Sequence, residues 1–323
     1  MSPATRARVL QKAEQLGYRP NIAARSLKLN RRIRVGVYLP RHIASFFDPL
    51  RAGISAAAGA TLGVGVYLVL RTFPRLDTGD VEAMRADTQE GLDGIILTPG
   101  NPERIAPMVD LFIKQGTAVV CVASDAPRTN RLASISCDAY TSGAIAAELL
   151  SRTVQRSGTV ATITGELTTT DHAEKLRGFA ATLAILAPHL SLLPAVESHE
   201  SPREAYQQTK ALFSQKPFPL GLYISTANSI PVLQALTEQS LLGSVRVITT
   251  DFFAELVPFI ESGKLLATLY QRPFAQGKAA FEVLIHYLVN QVKPQEITRL
   301  SPHIILRSNL PLFLDYLRHP EEI

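Results

Sequence analysis

The sequence has no tryptophan, only three methionines and two cysteines in 323 residues, and no apolar run long enough to cross a membrane, which takes about 18 consecutive residues. Its first residues lack the apolar stretch of a signal peptide, so a cytoplasmic protein without membrane contact is expected. Cys121 and Cys137 lie in apolar, strand-like stretches and read as reduced core, not as a disulfide. Chemical motifs are equally scarce. There is no P-loop, no paired CxxC, no HExxH and no GxSxG, and the seven histidines show no metal-ligand spacing. Gly63-Val64-Gly65 is a GxG fragment without its third glycine. Asp171-His172 hints at a base and its orienting carboxylate, yet no nucleophile is placed, and the pair reads as a solvated loop. A non-enzyme with no cofactor and no metal is the expectation.

What is present is core-forming material: 46% apolar against 19% charged residues, enough for two folded units at this length. The net charge of +5 is unevenly spread. Residues 1–34 carry nine Lys and Arg against Glu14, a net of +8, while the rest carries 24 basic against 27 acidic residues, a net of −3. A basic arm on a mildly acidic body is what phosphate contact requires, since each neutralised phosphate releases counterions; a solvated tail has the same composition. From residue 33 onward, apolar runs at 33–39, 63–70, 93–97, 117–123, 158–164, 220–225, 245–250, 265–270 and 303–308 alternate with segments of helical spacing. That rhythm predicts an α/β protein of two doubly wound, parallel-sheet lobes, with a ligand cleft where strand ends face each other. The last residues, "LDYLRHPEEI", carry no heptad and are expected at the surface.

The arm has its own pattern. Ser2 caps, Pro3 opens and Gly17 closes a helix whose apolar face, Val9, Leu10, Ala13 and Leu16, has nothing within the segment to cover it. A second segment begins at the capping residue Asn21 and is too short to be helical unaided. In it, small Ala23 and Ala24 allow two helices to approach, Arg25 and Lys28 reach phosphates, and Leu27 is an apolar residue in basic company.

Residues 2–28 resemble the end of the DNA-binding headpiece and the hinge helix of the lactose-repressor (LacI/GalR) family of bacterial transcription regulators, through Ser2-Pro3-Ala4-Thr5-Arg6, Gly17-Tyr18-Arg19-Pro20-Asn21 and Ala23-Ala24-Arg25-Ser26-Leu27. Six later pieces, in order, resemble that family's effector-binding core, itself similar to periplasmic sugar-binding proteins of type I. They are Ser45-Phe46-Phe47, Asp93 to Leu97, Asp138 to Gly143, Arg177-Gly178-Phe179, the turn at Asp251, and Tyr270-Gln271-Arg272-Pro273 with Gln276-Gly277. The resemblance divides the chain into an arm at 1–32, an N-terminal lobe at 33–151 plus 271–300, and a C-terminal lobe at 152–270 plus 301–323. The family's helix-turn-helix lies upstream of the serine matching Ser2, and a misplaced start codon at Met1 is the expected reason, with a real truncation as the alternative.

The resemblance implies a homodimeric repressor. Asn21, Ala23, Ala24, Arg25, Leu27 and Lys28 would contact operator DNA, with Leu27 wedging into the minor groove; a linker whose leucine packs on the body is the plainer reading. Phe46, Phe47, Asp138, Lys175, Asn228, Asp251 and Gln271 would bind a sugar-, polyol- or nucleoside-like effector between the lobes. Phe46 and Phe47 are as compatible with core packing, and Asn228 with a helix cap. Lys175 stands where many relatives carry Arg, whose flat bidentate contact Lys cannot reproduce, and Arg177 faces elsewhere on the same helix. A cytoplasmic sugar sensor without DNA binding is the rival reading.

Overall fold

Uninterrupted apolar strands have no polar face to give to water, so both sides of each sheet must be covered by helices, and the computed structural model, which describes residues 32–61 and 65–317, has that architecture. The arm, with Asn21, Ala23, Ala24, Arg25, Leu27 and Lys28, lies outside the described residues, as do 62–64 and 318–323. In chain order the elements of the first half are β1 (Ile33–Pro40), α1 (Ala44–Ala60), β2 (Val66–Phe73), α2 (Asp80–Ala86), β3 (Gly94–Leu97), α3 (Pro102–Lys114), β4 (Ala118–Val122) and β5 (Ala133–Cys137). Then come α4 (Ala139–Thr153), β6 (Gly158–Thr164), α5 (Thr170–Leu186), β7 (Leu190–Leu192), β8 (Val196–Glu197), α6 (Pro202–Leu212), β9 (Gly221–Ile224), α7 (Ser229–Glu238), β10 (Arg246–Thr250), α8 (Val257–Glu261) and β11 (Ala267–Tyr270). The chain closes with α9 (Pro273–Asn290), β12 (Ile297–Leu300), β13 (His303–Ile305) and α10 (Pro311–Leu314).

The strands form two sheets, one ordered β12-β5-β4-β3-β1-β2 and one β13-β11-β10-β9-β6-β7 with β8 also on β6. All pairings are parallel except that of β11 with β13. The chain therefore passes between the lobes three times: after Cys137, after Tyr270, and between Leu300 and His303. Each sheet has core on both faces. Helix α4 packs into the second lobe, where Ala146, Ala147 and Leu150 meet Val160, Phe179 and Tyr223. Helix α9 returns to the first lobe, where Phe281 and Leu284 meet Val35, Val37 and Ile54.

Glycine sets both helix pairs. A Cβ at Gly143 of α4 would lie 1.9 Å from the carbonyl oxygen of Lys175, and one at Gly178 of α5 would lie 2.1 Å from that of Tyr140. Gly53 of α1 and Gly277 of α9 stand in the same relation to the carbonyls of Phe274 and Leu50, at 2.1 and 2.0 Å. In each lobe two backbones touch where any larger residue would hold them apart. The polar strands β5 and β12 extend the first sheet beyond the apolar runs. Tyr316 corrects the expectation of a surface C-terminus: it is buried, edge-on to Tyr270 with ring centroids 4.8 Å apart. Both cysteines are buried and free.

Candidate functional site

The carboxyl ends of β1, β4, β6 and β10 and the N-terminus of α5 converge on a cleft of about 470 Å³, its mouth included, lined by residues of both lobes. Five of the seven expected effector residues meet there: Phe46, Phe47, Lys175, Asp251 and Gln271. The two phenylalanines are edge to face at 5.0 Å. Both belong to the core of the first lobe and both border the cleft, so each of the two readings describes one side of the same rings.

Lys175 is wholly buried, its Nζ 2.6 Å from Oδ2 of Asp171 one turn earlier on α5. Burial would depress the ammonium's pKa, but Asp171, with Tyr223 and Asp251 behind it, holds it above the ordinary lysine value. Asp251 follows β10, and Gln271 Nε2 donates to its Oδ1 at 2.8 Å. Burial pushes the Asp251 carboxyl up to about 6 against the pull of Lys175. Gln271 is itself fixed by Gln276 Nε2, which donates to its carbonyl at 2.8 Å. A single short Lys–carboxylate contact thus stands where many relatives carry arginine, and its charge is already neutralised within α5.

His172 corrects the reading of Asp171-His172 as a solvated loop: it is buried on α5 and borders the cleft. Its Nε2 lies 2.8 Å from Oε1 of Glu200, and Thr226 Oγ1 donates to Oε2 of Glu200 at 3.0 Å. Burial opposes both charges, but mutual attraction wins, holding His172 above and Glu200 below their ordinary values. Gly165 makes room for this pair, since a Cβ there would lie 1.6 Å from Glu200 Oε1 and 2.5 Å from His172 Nε2. The backbone N–H of Leu167 and the side chain of Glu197 secure the neighbouring turn at 2.9 Å. Thr98, Ser124, Thr169 and Ser225 complete the polar lining, and Nδ1 of His172 and Oγ1 of Thr98 have no hydrogen-bond partner among the described residues. These are donors and acceptors left over for a ligand.

Asp138 and Asn228 lie elsewhere. Asp138 caps α4 by accepting from the N–H of Thr141 at 2.9 Å and borders an adjoining groove with Tyr140, Arg177 and Arg299. Asn228 precedes α7, its Nδ2 donating to Thr226 Oγ1 at 3.5 Å, behind the residues that line the cleft. Arg177 points away, over the Tyr140 ring at 4.3 Å and paired with Glu174. Sequence reasoning missed Glu200 and Thr98; neither lies in a motif, and Glu200 reaches the site from a loop distant in sequence.

Hydrogen bonds also join the lobes across the cleft. His42 Nε2 donates to the carbonyl of Glu200 at 2.5 Å, the hydroxyls of Ser124 and Thr170 share a bond of 3.0 Å, and the N–H of Asp125 donates to Thr170 Oγ1 at 2.9 Å. The described residues contain no helix long and apolar enough to cross a membrane.

The periplasmic binding protein domain family matches residues 35–291. Among characterised proteins the chain is similar to the catabolite control protein A of Priestia megaterium, 24% identical over 320 residues, covering 96% of this chain and 91% of that protein. It is similar to the ribose operon repressor of Escherichia coli K12, 24% identical over 317 residues, covering 96% and 92%. Among solved structures, the glucose-galactose binding protein GanP of Geobacillus stearothermophilus has a TM-score of 0.78 at 22% identity, over 87% of this chain and all of that one. A solute binding protein of Agrobacterium vitis with bound D-fucose has a TM-score of 0.80 at 18% identity, over 86% and 96%.

Proposed function

We propose, from the premise that this chain belongs to the periplasmic binding protein domain family, that it is a ligand-responsive bacterial transcription repressor. It takes a sugar-like effector between its lobes and grips operator DNA, as a homodimer, through residues 1–32. One observation carries this reading. The alignments with the control protein and the ribose operon repressor span 96% of the chain, more than residues 33–323 can supply, so they run into the basic arm that no sugar site needs. A body of net negative charge would repel DNA without that arm. In the cleft, Asp251, Gln271, the Lys175–Asp171 pair and His172 are suited to the hydroxyls of a sugar or polyol, with Phe46 and Phe47 against its apolar face. Effector binding changes the contacts between lobes, and a coupling of about 1 to 3 kcal/mol is enough to change occupancy of DNA several-fold or more.

The second reading, a sugar sensor that does not bind DNA, is favoured by the solute-binding proteins among the solved structures. A gel shift of the whole chain against operator-like duplex, at low and physiological salt and with a panel of sugars, polyols and nucleosides, separates the two. Binding that weakens with salt and responds to one of the ligands is expected. Ligand binding without any affinity for DNA would replace the first reading by the second, and turnover of a bound sugar would overturn both.

A further inference from the structure

We propose that Glu166, Glu197 and His199, on the rim of the second lobe, form a binding site for one first-row divalent metal ion, with Zn²⁺ the ion their ligand set fits best. The site is separate from the effector cleft and does not rest on what the cleft binds.

Topology brings the three together. Strands β6 and β8 pair in parallel, with Thr164 opposite Glu197, so the chain leaves the sheet at neighbouring points and carries Glu166 and His199 to the same spot. One ligand atom from each residue lies within 4.8 Å of the other two. Nδ1 of His199 is 3.3 Å from Oε2 of Glu166. The N–H of Leu167 holds one oxygen of Glu197 at 2.9 Å and so fixes where the carboxylate points. A zinc ion binds oxygen and nitrogen at about 2.0 to 2.2 Å, so its ligands stand roughly 3 to 4 Å apart, and the side chains need close by at most about 1 to 2 Å.

Charge is the second, independent observation. Among the described residues no Lys or Arg forms an ion pair with Glu166 or Glu197; the only basic group against Glu166 is His199 itself, and Glu204 adds a further negative charge nearby. Most other paired carboxylates of this protein have an Arg or Lys as partner. Two carboxylates neutralise a divalent ion, and one imidazole tilts selection from Mg²⁺ and Ca²⁺ toward Zn²⁺. Three protein ligands leave at least one position for water. Bound metal would also fix the turn at His199 and Glu200, both in the left-handed backbone region at φ 48° and 53°, from which Glu200 reaches His172.

The test is titration of the whole chain, freed of metal by a chelator, with Zn²⁺ against a chromophoric competitor, with Mg²⁺ in parallel. One Zn²⁺ per chain is expected at this site, weakened at least about tenfold in His199→Ala and in Glu166→Gln, with Mg²⁺ far weaker. His199 is exposed, so the metal-free melting curve of His199→Ala should match that of the parent. Zn²⁺ should raise the melting temperature of the parent and of neither variant. Equal Zn²⁺ affinity in parent and variants, or no binding at 100-fold excess over protein, overturns the proposal.

Discussion

Replacing Lys175 by Met keeps the length of the stem and removes the charge. The parent places the ammonium 2.6 Å from Asp171, with both groups largely withdrawn from water and Asp251 facing the same cation. Met leaves two carboxylates in a poorly solvated cleft with no counter-ion within the helix. Breaking a buried pair by deleting one partner costs about 3 to 5 kcal/mol, whereas replacing both with apolar groups is often neutral. Asp171 keeps some contact with solvent, so the lower end, about 3 kcal/mol, is expected for Lys175→Met. The double variant Lys175→Met/Asp171→Leu should recover at least half of that loss. The assay is equilibrium urea unfolding followed by far-UV circular dichroism, since a chain without tryptophan gives little fluorescence change. Each variant is compared at constant slope, because a changed slope signals loss of two-state behaviour. A loss below about 1 kcal/mol for the single variant, or a double variant as unstable as the two single losses added together, would refute the account of Lys175 as an internally neutralised cation.

Asp251 predicts a pH dependence. Its folded carboxyl titrates at about 6, above the ordinary 3.8, so between pH 4 and 6 the folded chain holds a proton that the unfolded chain has released. Stability therefore falls as pH rises through that window, by on the order of 2 to 3 kcal/mol, and Asp251→Asn should flatten this fall in denaturation profiles measured from pH 4 to 7. Gly165→Ala, whose methyl would overlap Glu200 Oε1, should separate Glu200 from His172 and abolish ligand protection against thermal unfolding; unchanged ligand affinity would show that this pair plays no part in the cleft. Gly178→Ala drives a methyl into the carbonyl of Tyr140 and should lower stability by about 1 to 3 kcal/mol through overpacking, read by denaturant midpoint. In the arm, Leu27→Ala should weaken operator binding at every salt concentration while leaving the slope against salt nearly unchanged, since it removes a wedge and no phosphate contact; a changed slope in a salt series of gel shifts would contradict that role.

The alternation of strands and helices was legible because parallel strands buried on both faces must be apolar throughout, and "IRVGVYLP" or "RVITT" next to a periodic helix leaves few alternatives. The strands it omitted are short or polar: β5 reads "ASISC" and β12 "ITRL", and β12 lies at the edge of its sheet. The expected lobe boundary at residue 151 put α4 in the N-terminal lobe; its packing on α5, so close that Gly143 meets the backbone of Lys175, places it in the second lobe instead. In the cleft, Lys175, Asp251 and Gln271 were reached through the resemblance, each beside a strand end or helix start that any ligand must pass. Asp138 shares such a position yet caps a helix, because an aspartate one residue before a helix has the free N–H groups within reach whatever else it could bind. Asp171 and His172 were set aside because adjacent residues in a loop diverge. On the first turn of a helix they diverge by only about 100°, and a cleft that wraps the end of α5 takes in both.

Four residues that follow strands and border the cleft, Ile43, Ala123, Glu200 and Asp251, adopt left-handed backbone conformations at φ 62°, 66°, 53° and 72°. Glycine would adopt them at no steric cost, but glycine offers no side chain to the cleft, and here the side chains of Ile43, Glu200 and Asp251 form its wall. Such conformations cost on the order of 1 to 3 kcal/mol each, and a β-branched residue such as Ile43 stands at the high end. Two belong to each lobe, so left-handed backbone from both lobes faces the same space. Against it stand four hydrogen bonds between lobes, at His42, Ser124, Asp125 and Thr170, the last to the Asp125 carbonyl at 3.5 Å, each worth about 1 kcal/mol net at most. Together they are worth a few kcal/mol, of the same order as the coupling proposed for effector binding. A ligand that satisfies Nδ1 of His172 and Oγ1 of Thr98 as well as Asp251 makes nearly as many contacts as the lobes make with each other. The hydrogen-bonded attachment of the lobes across the cleft is thus thin and polar, and left-handed backbone and unpaired polar atoms from both lobes border the space between them.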